Sequence, residues 1–181
     1  MDGIINVLKP TGMTSSDVVV FLRKLLGIKK VGHTGTLDPG AAGVLPICIG
    51  KATRLFDYIV EKDKEYIADL TLGYCTDTMD SFGKITYCND VNVKRDDVER
   101  VLNQFKGKIV QKPPMFSAIK HKGKKLYELA RDGQVVDVKK REVEIKSLSI
   151  LQQNGKNQYQ IFIKCSKGTY IRSLCNDIGM A

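Results

Sequence analysis

The sequence predicts an α+β fold, in which a mixed and largely antiparallel sheet is flanked by helices. Short apolar or alternating segments typical of strands are interspersed with segments of helical periodicity. The two kinds do not alternate strictly, as they do in a parallel β-α-β fold. The chain has 181 residues, of which 43% are hydrophobic, which is enough to bury a core. We therefore expect residues 1–181 to form one domain.

The first 50 residues are predicted to hold two strands and a helix. Gly3–Leu8 is mostly apolar and ends at a Lys-Pro-Thr-Gly turn, which is typical of a short buried strand. Thr14–Leu26 starts with three hydroxyl side chains able to cap a helix, and Gly27 lies just past its end. The glycines of Gly32–Gly43 predict no regular element, and Val44–Ile49 is an apolar run that predicts a buried strand. The apolar face of the helix is predicted to consist of Val18, Leu22, Leu25 and Leu26.

The rest of the chain continues as a mixture of both element types. Helices are predicted over Lys51–Val60, Arg95–Phe105, Leu126–Asp132 and Thr169–Ile178. Strands are predicted over Glu65–Leu72, Phe82–Cys88, Val143–Leu151 and Tyr159–Cys165, the last two as an antiparallel pair. The basic, proline-bearing segment Lys108–Lys125 is assigned no strand or helix.

The positive charge is concentrated in one stretch of the chain. The net charge is +9, and residues Lys106–Lys146 contain 12 Lys or Arg against 5 Asp or Glu. Basic loops can serve solubility alone, but an excess of this size favours a nucleic acid or another phosphate-rich partner.

Several classes of protein are excluded by what the sequence lacks. The five cysteines are odd in number and form no C-x-x-C pair, which argues against a disulfide scaffold and a zinc site. The sequence has no P-loop and no G-x-G-x-x-G motif, so we expect no cofactor and no metal. It also has no signal peptide and no apolar run of membrane-spanning length, so we expect a cytoplasmic protein.

Four residues are candidates for chemistry or recognition. Asp38 lies in a glycine-rich loop directly before a predicted buried strand, where a carboxylate can act as a nucleophile or a base, although Asp-Pro-Gly is also a common surface turn. Arg172 could lower the pKa of such a carboxylate, or it could be a solvated helix arginine. Tyr66 could stack on a base or pack in the core. His33 could bond the backbone or contact a displaced base.

Five motifs, taken together and in order, resemble the TruB family of pseudouridine synthases. The loop Gly32–Pro39, continued through Gly43–Pro46, resembles the family signature. The remaining motifs are Lys9–Ser15, Lys64–Tyr66, Pro113–Ala118 with Lys124–Glu128, and Ser166–Leu174. They resemble the family's N-terminal, tyrosine, RNA-gripping and arginine motifs.

The resemblance implies an isomerase that converts the T-loop uridine of tRNA, at position 55, to pseudouridine without a cofactor. Asp38 would be the catalytic carboxylate, Arg172 its charge partner and Tyr66 the residue that stacks on the target base. His33 would contact RNA near the flipped nucleotide, and Lys9 would support the site. The resemblance also assigns RNA binding to Gly35, Thr36, Lys120, Lys124 and Lys125, the three lysines within an RNA-contacting insertion at residues 106–140.

The resemblance leaves further expectations and alternatives. Family members usually continue past the arginine motif, so we expect a truncated catalytic domain without the family's small RNA-binding PUA domain. We expect a monomer that requires no protein partner. Two other hypotheses remain open: a non-catalytic module that binds or folds tRNA, and the guide-RNA-dependent branch of the family.

Overall fold

The computed structural model describes all residues from Met1 to Ala181. By its internal contacts the chain divides into two compact units, Met1–Lys62 and Asp63–Ala181. Each unit has its own sheet and its own apolar core. No helix is both long enough and apolar enough to cross a membrane.

The first unit is a three-stranded antiparallel sheet with one long helix. Its strands are β1 (Gly3–Lys9), β2 (Val31–His33) and β3 (Gly43–Ile49), in the spatial order β1-β3-β2. Its helices are α1 (Ser15–Leu26), a 3-10 helix over Gly50–Leu55 and the short α2 (Phe56–Val60). The core lies between α1 and the sheet and contains Val18, Val19, Leu22, Val31, Leu45, Ile47 and Ile49.

Helix α1 starts and ends as the sequence predicts. Thr14 caps it through a reciprocal pair of hydrogen bonds with Asp17, and Gly27 ends it in the left-handed conformation with φ 65°. The prediction for its apolar face is wrong at one position, because Leu25 is 65% exposed whereas Val19 is buried. The buried stripe is rotated toward Val19, which leaves Leu25 at its edge in the last turn.

The second unit is built on a four-stranded antiparallel sheet. Its strands are β4 (Lys64–Thr71), β7 (Gly107–Gln111), β10 (Arg141–Gly155) and β11 (Gln158–Cys165). Their spatial order is β4-β11-β10-β7. Two hairpins accompany it: β5 (Tyr74–Thr76) with β6 (Ile85–Cys88), and β8 (Lys120–His121) with β9 (Lys124–Lys125). The helices are α3 (Arg95–Gln104), α4 (Leu126–Arg131) and α5 (Ile171–Met180).

The core of the second unit lies under α3 and α5. Val98 and Leu102 of α3 and Leu174 and Ile178 of α5 pack with the inward side chains of the sheet. Tyr159 of β11 is 1% exposed, and its hydroxyl donates to the carbonyl of Val93 at 3.3 Å, so this core tyrosine is satisfied.

The α+β class is confirmed, and the structure adds detail that the sequence did not predict. Every strand pairing with an assigned register is antiparallel, and the strands fall into two larger sheets and two hairpins rather than one sheet. Strands β2, β5, β7, β8 and β9 were not predicted, since each has five residues or fewer and depends on its pairing partner. The last helix begins at Ile171 rather than at Thr169.

Candidate active site

Asp38 lies in the loop between β2 and β3, and hydrogen bonds fix the residues on both sides of it. The hydroxyl of Ser15 accepts from the Leu37 N–H at 2.9 Å and donates to the Leu37 carbonyl at 3.2 Å. The N–H of Gly12 donates to the carbonyl of Pro39 at 2.8 Å. The half-buried Asp38 is therefore held in a loop anchored to the start of α1 and to the turn after β1.

The start of this loop is anchored to β3. Both the N–H and the hydroxyl of Thr34 donate to the carbonyl of Pro46, at 3.1 and 3.3 Å, and Thr34 is 2% exposed. His33 precedes it and lies opposite Ile47 in the sheet. The Nδ1 atom of His33 is buried and has no hydrogen-bond partner. One imidazole nitrogen at the end of β2 therefore has no hydrogen-bond partner within the chain.

Gly35 and Thr36 follow as the more open part of the loop. Thr36 is exposed, and a Cβ built on Gly35 would meet no atom within 4 Å. Gly35 is also not in the left-handed region, so the fold of the chain does not itself require glycine at this position. The loop leaves room for close approach of another molecule.

Lys9, at the end of β1, is buried rather than on the surface. It is 0% exposed, and its ammonium group donates to the carbonyls of Pro10 at 2.8 Å and Met13 at 2.7 Å. Burial lowers the pKa of Lys9, and the negative charges of Asp38 and Asp17 partly oppose that effect. Lys9 therefore holds the turn that follows β1 from inside and presents no surface of its own to an RNA.

Arg172, in the first turn of α5, is fixed by groups from two other segments of the second unit. Its Nη1 donates to the carbonyl of Thr78 at 3.0 Å, and its Nη2 donates to the carbonyl of Phe116 at 2.8 Å. Its side chain is only 13% exposed. The alternative of a solvated helix arginine is therefore excluded.

Asp80 adds a carboxylate beside this guanidinium. Its Oδ2 lies 3.6 Å from Nη1 of Arg172, and its Oδ1 accepts from the Thr78 hydroxyl at 2.7 Å and the Phe82 N–H at 3.0 Å. The turn that holds Asp80 includes Met79 at φ 60°, an uncommon conformation for a residue other than glycine. The β5–β6 hairpin thus presents both a carbonyl and a carboxylate to Arg172.

The chain entering α5 is held by a buried glutamine. Gln111, at the end of β7, is 0% exposed and exchanges two hydrogen bonds with the backbone of Tyr170. The Ser173 hydroxyl donates to the carbonyl of Lys112 at 2.9 Å. These bonds fix the residues on both sides of Arg172.

Tyr66 lies on β4 opposite Ile163 of β11. It is half-buried and packs against the core of the second unit, so part of its side chain contributes to that core. The exposed remainder of its ring is compatible with stacking on another planar group.

Three predicted RNA-binding lysines lie together on the β8–β9 hairpin. Lys120 pairs with Lys125 across the hairpin, and Lys124 pairs with His121. The two turn residues between the strands both have positive φ, as a tight two-residue turn requires. The ammonium of Lys125 lies 5.4 Å from the centre of the Tyr127 ring.

The predicted site residues are divided between the two units. The first unit holds Lys9, His33, Gly35, Thr36 and Asp38, and the second holds Tyr66, Lys120, Lys124, Lys125 and Arg172. The sequence did not indicate the roles of Ser15, Asp80 or Gln111, because each acts through a partner distant in the chain. No group of three or more His, Cys, Asp or Glu side chains is arranged as a metal site.

Solved structures show where this fold occurs elsewhere. The chain is similar to one in the crystal structure of a Cbf5-Nop10-Gar1 complex, with 32% identity and a TM-score of 0.74. That match covers 98% of this chain and 44% of the other. A second match, at 29% identity and a TM-score of 0.71, is the structure of an H/ACA RNP bound to a substrate RNA containing 2′-deoxyuridine, covering 98% of this chain and 42% of the other.

The sequence comparisons show the family to which the chain belongs. The chain belongs to the TruB family: its residues 23–171 match the model of the TruB family pseudouridylate synthase, N-terminal domain. It is 53% identical over 184 residues to tRNA pseudouridine synthase B of Pelotomaculum thermopropionicum, covering 99% of this chain and 58% of that protein. It is 52% identical over 182 residues to the protein of the same name from Clostridioides difficile, covering 99% and 60%. The chain thus spans about 60% of the length of these relatives.

Proposed function

We propose that this chain carries the catalytic residues of a tRNA pseudouridine synthase that acts on uridine 55 in the T loop. The observation that carries the proposal is the identity of 52–53%, across 99% of the chain, to proteins named tRNA pseudouridine synthase B. Identity to the Cbf5-containing structures is lower, at 29–32%. This difference favours a tRNA substrate over the guide-RNA-dependent branch.

The reaction is an isomerisation within one nucleotide. The bond between C1′ of the ribose and N1 of uracil breaks, the base turns, and a new bond joins C1′ to C5. The C5 proton leaves and N1 gains a proton, so no atom is added and no electron is transferred. Side chains alone can support such a reaction, and we infer that the Asp38 carboxylate carries it.

The target base must leave its stack before the carboxylate can reach it. Extrusion costs a few kcal/mol of unstacking, which contacts with the protein must offset. We infer that Tyr66 stacks on the extruded base and that His33 contacts the RNA nearby. We infer that Arg172 contributes positive charge to the reaction, and its guanidinium is held beside the Asp80 carboxylate.

Gly35, Thr36 and the three hairpin lysines are inferred to bind the RNA strand. The open space at Gly35 supports a close approach of the strand, and the lysines lie where basic residues are most concentrated. Phosphates of the RNA are the natural partners of such a surface.

The test is tritium release from a T-arm stem-loop RNA labelled at C5 of uridine. We expect release by the chain, no release by Asp38→Asn, and normal release by the matched control Asp57→Asn in α2. RNA affinity should be similar for all three. Retained activity in Asp38→Asn would refute the role of Asp38. Binding without isomerisation in every variant would instead support the non-catalytic RNA-binding alternative.

We also infer that the protein acts in the cytoplasm as a monomer, without a required protein partner. Its proposed substrate is an RNA, and tRNA supplies the polyanion that a net charge of +9 favours. Light scattering after size exclusion, with and without T-arm RNA, measures the oligomeric state. A dimer in both conditions would contradict the inference that the protein is a monomer.

A further inference from the structure

The β5–β6 hairpin exposes several large apolar side chains, and one of them lies in its turn. The exposed residues are Tyr74, Phe82, Ile85 and Tyr87. The strand register places Tyr74 and Tyr87 on opposite faces of the hairpin, so the two tyrosines form no common patch. Phe82 lies in the turn between the strands, is 76% exposed and belongs to no apolar core of the second unit.

The turn that carries Phe82 is closely held by its own contacts. The N–H of Phe82 donates to Oδ1 of Asp80 at 3.0 Å, and the N–H of Gly83 donates to the carbonyl of Asp80 at 3.3 Å. A Cβ built on Gly83 would overlap the side chains of Asp77 and Thr78, so a larger residue there would displace the turn. The backbone of Phe82 is therefore fixed, whereas its ring lies in solvent.

The same turn holds the guanidinium of Arg172. The carbonyl of Thr78 accepts from Nη1 of Arg172 at 3.0 Å, and Oδ2 of Asp80 lies 3.6 Å from the same nitrogen. One carboxylate oxygen of Asp80 thus binds the backbone of Phe82 while the other faces Arg172. Phe82 comes two residues after Asp80, so their Cα atoms are within about 7 Å of each other. Phe82 therefore lies beside the groups that fix Arg172.

An exposed aromatic side chain is by itself ordinary on a protein surface. Phe82 differs from the two exposed tyrosines of the hairpin in its fixed place beside the contacts of Arg172. Gly83 and the exposed Lys84 separate it along the chain from Ile85, so the ring is not part of a wide apolar face that a protein partner would need. A single ring with a cation two residues away suits a nucleotide, whose base has an apolar π-face and whose phosphate is negative.

We propose that Phe82 stacks on an unpaired base that neighbours the target uridine in the RNA strand. The proposal rests on the proposed function, since it takes the T-loop RNA as the substrate, and it adds a second stacking side chain to Tyr66. Extrusion of the target base also removes a stacking partner from its neighbour, and a ring on a fixed backbone offsets that loss at little cost in conformational entropy. Phe82 touches no reacting atom, so its removal should raise KM rather than lower kcat.

The first experiment uses tryptophan fluorescence, because the chain contains no Trp. Phe82→Trp places a single indole at the proposed contact, and the matched control Tyr87→Trp places one at another exposed aromatic position of the hairpin. We expect T-arm RNA to quench most of the fluorescence of Phe82→Trp and to leave that of Tyr87→Trp unchanged. The quenching should disappear with an RNA that lacks one base adjacent to the target. Equal quenching of both variants, quenching of neither, or quenching that no adjacent base accounts for would overturn the proposal.

A second experiment separates stacking from a general apolar contact. Phe82→Ala and Phe82→Leu should both raise KM for T-arm RNA about tenfold, whereas Phe82→Tyr should keep it within about threefold, since only an aromatic ring stacks on a base. The kcat of all three should stay unchanged, and the matched control Tyr87→Ala should change neither quantity. A KM of Phe82→Leu equal to that of Phe82→Tyr would show an apolar contact and overturn the stacking.

The two proposals fail in different ways. Normal tritium release by Phe82→Ala with an unchanged KM refutes the stacking contact and leaves the proposed function intact. Quenching of Phe82→Trp that depends on one adjacent base, without tritium release by the wild-type chain, refutes the proposed function and leaves the stacking contact intact.

Discussion

Gln111 and Tyr170 bind each other through two reciprocal hydrogen bonds. The N–H of Tyr170 donates to Oε1 of Gln111 at 2.8 Å, and Nε2 of Gln111 donates to the carbonyl of Tyr170 at 3.0 Å. This side chain, 59 residues away in the chain, takes the place of a helix cap at the start of α5, whose N-cap residue has no side-chain capping bond. Arg172 follows two residues later, so its position depends on these two hydrogen bonds.

Replacing Gln111 with Leu should destabilise the protein and reduce its activity. The change leaves the N–H of Tyr170 without its partner, at a cost of about 1–3 kcal/mol, whereas the carbonyl of Tyr170 still accepts from the Leu174 N–H at 3.0 Å. Urea denaturation measures the free energy of unfolding, and tritium release measures the activity.

The control for this change is Gln152→Leu, at an exposed position of β10. It should alter stability by no more than about 0.5 kcal/mol. If Gln111→Leu is as stable as this control, the paired hydrogen bonds do not hold the start of α5.

Ser15 is expected to matter for catalysis more than a helix-capping serine would. Its hydroxyl makes both hydrogen bonds to Leu37, the residue before Asp38, and it is 2% exposed. Ser15→Ala should cost about 1–3 kcal/mol of stability and should lower kcat with little change in KM for the RNA. The neighbouring Ser16→Ala, at an exposed position, should leave both unchanged. Equal kcat values for the two variants would contradict a role in holding the Asp38 loop.

The local elements of this fold could be predicted from the sequence, whereas the long-range supports could not. The caps of α1 at Thr14 and Gly27 are local patterns, and the structure contains both. Strand β7 was not predicted. Its pairing with β10 stabilises it, and the five residues of the strand contain no pattern that indicates this pairing.

The candidate site follows the same division. The family motifs identified Asp38 and Arg172 as candidate residues, since the motifs are contiguous in the chain. Asp80 and Gln111 were missed, because their importance comes from contacts with residues 92 and 59 positions away.

The stability of the protein should depend on pH through Lys9. Burial lowers the pKa of Lys9 below 10.5, so the unfolded chain binds this proton more tightly than the folded protein does. The free energy of unfolding therefore rises with pH through the window just below 10.5, and the gain is complete above it.

Lys9→Met removes this titration, so the stability of the wild-type protein relative to the variant should increase as the pH rises from about 7 toward 10.5. Urea denaturation of both proteins at each pH gives the difference, in which all other titrating groups cancel. A difference that is constant with pH, or that falls as pH rises, would show that the Lys9 ammonium is not destabilised by burial.

Adding one methyl group at Gly35 should weaken RNA binding without lowering the stability of the fold. A Cβ there meets no atom of the chain within 4 Å and the backbone is not left-handed, so Gly35→Ala should leave stability unchanged or raise it by about 0.4–1 kcal/mol. If an RNA strand approaches this position closely, the same methyl group should raise KM for T-arm RNA severalfold, because the strand must move away from Asp38. The matched control is Gly3→Ala on β1, which also has open space for a Cβ and should change neither quantity. An unchanged KM in Gly35→Ala would show that the RNA does not pass close to this residue.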